Sequence, residues 1–447
     1  MRTRFWKLSA LMLALMLALT GCSLIEIDQE MEMAEVVATV GDVKITKGDV
    51  INVYNYQVEY SNAMYSYYGM AMTEEVLASV KDDVIEYFIE LELLKQKAAE
   101  LGLTDFSDEF FAEADATAAE EFEGMITEHS AHVNTNGLTE EAARETVIKH
   151  LADEGTTLEL LKKTYRDIEV ADLVRNHVIA SVEATEEEIQ AAYEAKVAAD
   201  QETYSGSTYL YETYQTYGET IAWNPEGYRT VKHILFQLTE EQKTALAELK
   251  AKLLDTEAGI AALNTASAST DSAEPAATAD PAALPTKTID ELNAEKAELE
   301  KQIADKEAEI LASFKEKTDA VYTRLEAGEE FDALMAELGE DPGMQSEPSM
   351  SKGYYVSAAS TVWDTNFRDA AMAIEAVGEV SEPILSGSGV HIIFYNSDVI
   401  PGAVDIEAVR EVLVEEVLTA KQNEAYAAQY EAWKNGVTIK KYPKVLG

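Results

Sequence analysis

The sequence contains a single cysteine, Cys22, in 447 residues. Intramolecular disulfides are therefore excluded, and a cysteine-based zinc site is strongly disfavoured. The chain must fold around apolar cores, and its 47% content of hydrophobic residues is sufficient to build them. At about 100–200 residues per domain, the length suggests roughly two to four domains.

The charge of the chain is strongly acidic. It has 35 Lys and Arg against 83 Asp and Glu, a formal net charge of −48. Nucleic-acid binding by the usual route needs a basic surface that displaces phosphate counterions. We therefore predict no nucleic-acid partner.

The N-terminus has the pattern of a secretory signal. Three cations precede an apolar run, Leu8–Leu19, which at 12 residues is too short to span a bilayer. The run ends in Leu19-Thr20-Gly21-Cys22, which resembles the lipobox of bacterial lipoproteins. The resemblance implies a signal peptide over 1–21, diacylglycerol on the Cys22 thiol and a polar tether over 22–35. The protein is then expected on the extracytoplasmic side of the cell membrane, held by its lipid anchor. The alternative is a buried core cysteine after an ordinary signal.

Residues 36–227 carry mainly helical patterns. Val36–Val40 and Val43–Ile45, with a turn between them, predict a β-hairpin. Apolar residues at helical spacing then predict helices over Met72–Leu101 and about 106–129, 138–151, 155–165 and 167–182. We interpret this region as an acidic helical domain without an obvious catalytic pocket.

Tyrosine is concentrated in two stretches of this region. One spans Tyr54–Tyr68 with Met64 and Met70 beside it, and the other spans Tyr204–Tyr228 with little helical period. Ordinary core packing and surface tyrosines would explain both. The functional alternative is an adaptable surface for unfolded chains, because aromatic and Met side chains give large contacts without a fixed partner shape.

Residues 239–313 predict a helical hairpin. A charged helix over Thr239–Leu263 is followed by an Ala-, Ser- and Pro-rich stretch, Asn264–Lys287, whose composition predicts a mobile loop. From Thr288 a second helix places apolar residues at heptad positions, with Lys296 and Lys306 interrupting them.

Five segments between 228 and 400 resemble the parvulin-type prolyl isomerases. They are Val231–Leu235, Leu325–Phe331, Gly339–Pro342, Gly378–Pro383 and Gly389–Ile393. The layout of lipobox, helical segment, this domain and a final helix also resembles the PrsA-type foldase lipoproteins, which have a SurA-like N-terminal segment. The resemblance implies an α+β fold: a helical chaperone domain over 36–227, and a parvulin-like domain over 228–400 with a small antiparallel sheet flanked by helices. It also implies a C-terminal helix over 401–447 that packs on the chaperone domain.

The resemblance implies a site for isomerising X–Pro bonds without a cofactor or metal. His233 and His391 would face each other on neighbouring strands, and Asp341 would lie beside the rotating amide. The residues that would complete the site fall into a hydroxyl pair near the histidines and an apolar wall for the proline: Ser386 and Ser388, and Trp363, Phe367 and Tyr354. Taken alone, each would also fit a buried core position or a turn.

The sequence departs from this pattern around the mouth of the site. The hairpin replaces a short connection, and the usual Gly-Gly-Asp-Leu-Gly run is reduced to Met350–Gly353. Two further readings therefore stay open: an inactive parvulin fold acting as a holdase or envelope assembly chaperone, and a structural envelope lipoprotein whose hairpin docks a partner. The expected partners are unfolded secreted polypeptides and the membrane at Cys22, and a homodimer is left open.

Overall fold

The computed structural model of the chain describes residues 29–130, 138–153, 155–269 and 287–447. These residues divide into two compact units, with one boundary in a loop and the other within a long helix. The first unit contains the chain up to Glu183 together with Leu418–Gly447, and the second contains Ala184–Val417. The predicted signal peptide, Cys22 and the centre of the predicted mobile loop lie outside the described residues.

The first unit is helical, with one small sheet. Its helices are α1 (Gln29–Met33), α2 (Lys47–Tyr67), α3 (Glu74–Glu100), α4 (Ala112–His129), α5 (Glu140–Asp153) and α6 (Leu158–Ile179). Its strands are β1 (Val36–Val40), β2 (Val43–Thr46) and β9 (Ile439–Lys441), which pair antiparallel in the order β2-β1-β9. Alternate apolar residues of β1 and the apolar stripe of α3 form its core, in which Val37, Val40 and Ile85 are fully buried.

Two details of this unit differ from the sequence predictions. The helices expected at 155–165 and 167–182 form the single helix α6, and α1 occupies part of the predicted tether. The last part of helix α14 (Ile406–Asn435) packs on α3, where the Tyr426 hydroxyl donates to Glu90 at 2.6 Å and Lys434 Nζ to Glu86 at 2.7 Å.

The second unit surrounds a four-stranded antiparallel sheet in the order β5-β4-β7-β6. Its strands are β3 (Trp223–Asn224), β4 (Tyr228–Gln237), β5 (Tyr354–Ser357), β6 (Ile384–Leu385), β7 (Gly389–Asp398) and β8 (Gly402–Ala403). Its helices are α7 (Glu186–Tyr204), α8 (Thr208–Tyr217), α9 (Glu240–Ser269), α10 (Ile289–Glu326), α11 (Phe331–Leu338), α12 (Ser349–Lys352), α13 (Thr365–Ala373) and the start of α14. The structure confirms the predicted α+β class.

The two faces of this sheet are covered by different helices. Successive side chains of a strand point to opposite faces. On one face Lys232 pairs with Asp332 of α11 at 2.8 Å, and the Phe236 ring stacks on Phe314 of α10. On the other face the His233 ring lies 5.2 Å from that of Phe367 in α13. The second face carries the candidate site.

The helical hairpin is antiparallel, as predicted. Cross-helix contacts join Gln242 to Ser313, Lys250 to Glu307 and Lys296 to Glu257. The heptad residues Leu292, Leu299, Ile303 and Ile310 are buried, and Lys296 satisfies its charge across the hairpin. Because α9 continues to Ser269, the first residues of the predicted mobile loop are helical instead.

Residues 204–228 show little helical period in the sequence, but the structure contains helix α8 there. Ser207 caps α8 by accepting from the Leu210 N–H, and α8 then packs with β5 inside the second unit. Its Tyr211 forms a core with Tyr204, Tyr228 and Ile221, while its other tyrosines are exposed. Residues 184–227 therefore belong to the same compact unit as the sheet, although we assigned them to the helical domain.

Candidate active site

The register of β4 and β7 brings the two predicted histidines together. His233 lies opposite Ile393, and His391 lies opposite Leu235, so the two histidines are diagonal neighbours on one face. Their ring centroids are 4.9 Å apart, and the two Nδ1 atoms are 2.9 Å apart. Both side chains are almost fully buried, at 3% and 5% exposure.

Asp341 terminates the histidine pair on one side. It precedes a 3₁₀ turn, Pro342–Gln345, and its Oδ1 accepts from the Gly343 N–H at 3.0 Å. Its Oδ2 accepts from His233 Nε2 at 2.8 Å and from the Tyr354 hydroxyl at 2.9 Å. Burial alone would raise the pKa of Asp341, but the hydrogen bonds from His233, Gly343 and Tyr354 outweigh it and hold the pKa at about 2.

The two predicted serines terminate the pair on the other side. Ser386 Oγ lies 2.7 Å from His391 Nε2, and the Ser388 N–H donates to Ser386 Oγ at 3.0 Å. Ser388 therefore joins the network through its backbone, while its side chain is exposed.

The network has one consistent direction when both imidazoles are neutral. Burial, the largest cause, lowers the pKa of His391 to about 3, so this ring is neutral near pH 7. An ionised Asp341 requires a proton on His233 Nε2, which leaves His233 Nδ1 to accept from the His391 Nδ1–H. His391 Nε2 then accepts from the Ser386 hydroxyl. The carboxylate thereby fixes both tautomers.

Aromatic rings enclose the histidine pair. Phe367, 4% exposed, makes edge contacts with both imidazoles at 5.2 Å. Trp363 lies 5.8 Å from Phe367 and 4.5 Å from Tyr354. The spacing of four residues predicts Trp363 one helical turn before Phe367, but α13 begins only at Thr365, and Trp363 lies in the preceding loop. Its indole N–H donates to the Tyr355 carbonyl at 2.8 Å.

Burial also raises the pKa of the Tyr354 hydroxyl, and the Asp341 charge adds to the effect. Tyr354 therefore stays protonated and can donate to Asp341. The assembled site combines a polar, ordered row of groups with an apolar aromatic wall, which suits a ligand that is apolar on one side and carries an amide on the other.

Two further residues fix α13 and were not predicted. Arg229 Nη1 donates to the carbonyls of Ala371 and Ile374 at the end of α13, at 3.1 and 2.8 Å. Asn366 Nδ2 donates to the Leu385 carbonyl of β6 at 2.9 Å. An arginine four residues before His233 is the only sequence signal for the first contact, and no signal marks the second.

The shortened Gly-rich run keeps one glycine for a steric reason. Gly353 has φ +81°, and a Cβ there would lie 2.7 Å from the Val231 carbonyl oxygen. This close approach lets β5 begin beside β4, which brings Tyr354 to the site.

Metal binding, membrane spans and the lipid anchor were also considered in the sequence. In the ranges that the structure covers, no group of three or more His, Asp or Glu side chains could hold a metal ion. Over the same residues, none of the helices is both long and apolar enough to span a membrane. Cys22 lies outside the described residues, so its lipidation stays a prediction.

Sequence comparison identifies two domain families in the chain. The SurA-like N-terminal domain family matches residues 1–123, and the PPIC-type PPIase domain family, also described as rotamase, matches residues 297–397. These matches confirm the predicted pairing of a SurA-like segment with a parvulin-type isomerase domain. His233 precedes the second match, because the hairpin separates β4 from the rest of the domain.

The chain is similar to curated foldases and to solved foldase structures. It is 31% identical over 137 residues to the foldase protein PrsA of Clostridium botulinum strain Hall, and 27% identical over 139 residues to that of Clostridium tetani. These alignments cover 31% and 30% of this chain, and only 40% and 39% of the relatives. PrsA of Bacillus subtilis aligns over 90% of this chain and 93% of its own, with 15% identity and a TM-score of 0.22. PrsA of Streptococcus pneumoniae aligns over 84% and 94%, with 15% identity and a TM-score of 0.25.

Proposed function

Because the chain combines a SurA-like N-terminal domain with a PPIC-type PPIase domain, as PrsA-type foldases do, we propose that it is a foldase that isomerises X–Pro peptide bonds. The observation that carries the proposal is the buried row Asp341–His233–His391–Ser386 beside Phe367. In this proposal Asp341, His233, His391, Ser386 and Ser388 form the polar side of the site. Phe367, Trp363 and Tyr354 form the wall that receives the proline ring.

The reaction requires no covalent chemistry from the protein. Rotation about an X–Pro bond is opposed by a barrier of about 18–20 kcal/mol from amide resonance, and no bond is made or broken. A site accelerates rotation by holding the ring in an apolar cup, removing water and favouring the twisted amide over the planar one. The aromatic wall supplies the apolar cup. The fixed tautomers supply an ordered polar surface that does not have to reorganise during rotation.

A second part of the proposal is client holding by the first unit. The end of α2 exposes a row of apolar side chains that no core requires: Tyr60, Met64, Tyr67, Tyr68 and Met70. Tyr67 and Tyr68 are 84% and 65% exposed. Such rings and thioethers can contact many different unfolded sequences. The clients are proposed to be unfolded secreted polypeptides.

Location is the third part of the proposal. The lipobox-like Leu19–Cys22 motif supports cleavage before Cys22 and anchoring on the extracytoplasmic side of the cell membrane. Removal of three cations and no anion would leave 32 − 83, a balance of −51. Anionic lipid would repel this body and basic clients would be attracted to it.

A proline-limited refolding assay on the full chain in detergent solution tests the isomerase proposal. His233→Ala, His391→Ala and Phe367→Ala should each lower kcat/KM by about tenfold or more, because each removes part of the polar row or the wall. His177→Ala, which changes an exposed histidine of α6, should leave the rate unchanged. Three site variants with wild-type rates would show that the site is assigned wrongly. An inactive wild-type chain that still suppresses client aggregation would select the holdase reading.

A further inference from the structure

The loop between β5 and α13 carries Trp363, the residue that the proposed function places against the substrate proline. The inference below therefore rests on that function. Trp363 is held by its indole N–H bond to Tyr355 and by the conformation of the loop before it. What fixes this loop also fixes the wall of the site.

Ser360 is the fixed point of the loop. It is fully buried, its N–H donates to the Ser357 carbonyl at 3.1 Å, and its Oγ accepts from the Ser357 N–H at 2.8 Å. Arg368 Nη1 donates to the Ser360 carbonyl at 3.3 Å. The remaining group of Ser360 is its hydroxyl proton.

That proton goes to Glu212 of α8. Glu212 is 1% exposed, and its Oε1 accepts from Ser360 Oγ at 2.5 Å and from the Tyr228 hydroxyl at 2.9 Å. A buried carboxyl is costly to keep, and one that joins a helix, a strand and a loop fixes all three together.

A second set of contacts connects α8 to Trp363. The Tyr211 ring of α8 makes edge contacts with Tyr228 at 4.6 Å and with Tyr355 at 5.7 Å. Tyr355 supplies the carbonyl that accepts from the Trp363 indole. Thr208 Oγ1 also donates to the Ala359 carbonyl at 3.4 Å. Helix α8 thus contacts the loop and the residue that orients Trp363.

We propose that Glu212 is a positioning residue of the isomerase site: through Ser360 it holds the β5–α13 loop, and so Trp363, in the position that forms the proline pocket. Helix α8 lies before the first strand of the sheet and outside the residues that match the PPIase family. The site would therefore depend on a helix that precedes the isomerase domain in the chain.

The test compares Glu212→Leu with Glu212→Gln in the full chain, purified in detergent. Glu212→Leu removes the acceptor of Ser360 and Tyr228 and should lower kcat/KM for a proline peptide by about tenfold, below the roughly hundredfold loss that a 1 Å misplacement can cause. The loss should lie in KM, because the wall contacts the planar and the twisted amide alike. Glu212→Gln keeps an acceptor and should restore at least half of the wild-type value. Ser360→Ala should act in the same direction as Glu212→Leu and guards against misfolding of the leucine variant.

Asp200→Leu is the matched control. Asp200 is also a buried acid of this unit, 6% exposed, but it accepts from the Ala222 N–H, not from the β5–α13 loop. It should lower stability without changing KM. Equal KM changes in the Asp200 and Glu212 variants, or an unchanged KM in both Glu212→Leu and Ser360→Ala, would overturn the proposal.

A separate readout distinguishes this inference from the proposed function. If the wild-type chain does not isomerise proline bonds, the function fails, and the position of Trp363 is followed directly by fluorine NMR of 5-fluorotryptophan, assigned with Trp363→Phe. Glu212→Leu should then shift or broaden the Trp363 resonance and Asp200→Leu should not. An unmoved resonance in Glu212→Leu would refute the positioning role whatever the enzyme does.

Discussion

Two carboxyl groups beside the same sheet have opposite electrostatic character. Asp341, whose side chain is 20% exposed, lies at the histidine pair and has a pKa lowered to about 2. Glu212, 1% exposed, lies under the β5–α13 loop, and burial raises its pKa despite the hydrogen bonds from Ser360 and Tyr228. Burial raises the pKa of both carboxyls, so burial alone does not explain why the net shifts are opposite.

The difference comes from how donors are distributed over the two oxygens. Asp341 accepts on both: Gly343 donates to Oδ1, and His233 and Tyr354 donate to Oδ2. Glu212 receives both of its donors on Oε1, and no described group meets hydrogen-bond geometry at Oε2, although the Val362 N–H lies near enough to lower the pKa. A carboxylate can therefore stay ionised at the site, where its charge orients the imidazoles, while Glu212 serves as an anchor.

The largest expected effect on stability comes from His391, whose tautomer Asp341 fixes through His233. His391 is buried neutral with a pKa of about 3, against 6.5 in an unfolded chain. The unfolded state binds the extra proton below pH 6.5, so stability should fall as the pH drops from 6.5 toward 4, by on the order of 3 kcal/mol. Urea-dependent hydrogen exchange of β7 peptides, corrected for intrinsic exchange, measures the stability of this sheet.

His391→Asn removes this titration and should flatten the decline, while His177→Asn should not. A wild-type chain whose β7 peptides are equally stable at pH 6.5 and pH 4 would show that His391 is not held neutral. The pH dependence of stability at the histidine pair would then not be opposite to that at Glu212.

The next effect separates the two carboxyls directly. Asp341 has a lowered pKa, so its stabilisation is complete above its unfolded value of 3.8 and is lost as the pH falls from about 4 to 2. Asp341→Asn should cost on the order of 1–2 kcal/mol at neutral pH, after discounting for screening at a partly exposed group. It should also reverse the imidazole tautomers, because an amide N–H at this position would need His233 Nε2 as an acceptor.

Nitrogen-15 NMR of labelled histidines reads the tautomers. The wild-type chain should carry the His391 proton on Nδ1, and Asp341→Asn should move it to Nε2. Identical tautomers in both chains would mean that Asp341 does not orient the pair.

Much of the site could be predicted because strand pairing carries its geometry. Two histidines in β-rich segments, each at a position typical of parvulins, become diagonal neighbours when the strands pair in the register that is observed. The turn at Asp341 could also be predicted, because an Asp-Pro turn needs few long-range contacts. The hairpin was predicted from periodicity and the α+β class from the family resemblance, and both are confirmed.

What could not be predicted depends on tertiary contacts. Helix α8 was missed because its tyrosines show little helical period, and the helix is stabilised by packing on Tyr228 and Tyr355. Trp363 was placed on the helix of Phe367 because spacing by four cannot show that Asp364 caps the helix between them. The roles of Arg229 and Glu212 depend on carbonyl and hydroxyl partners far away in sequence.

The smallest effect is the pH dependence contributed by Glu212, with a sign opposite to that of Asp341. Because its folded pKa is raised, the native state holds a proton that the unfolded state releases above pH 4.5, so its contribution should decline as the pH rises from there toward 8. Tyr211 and Tyr228 face Glu212, and burial raises the pKa of both, so both stay protonated throughout this range. The Arg368 guanidinium lies nearby, at the Ser360 carbonyl. Glu212→Gln carries no such charge, so the stability of its β4 peptides relative to wild type should rise over this window. If the stability difference between the two chains stays flat or falls over this window, the pKa of Glu212 is not raised. The two carboxyls would then not shift in opposite directions.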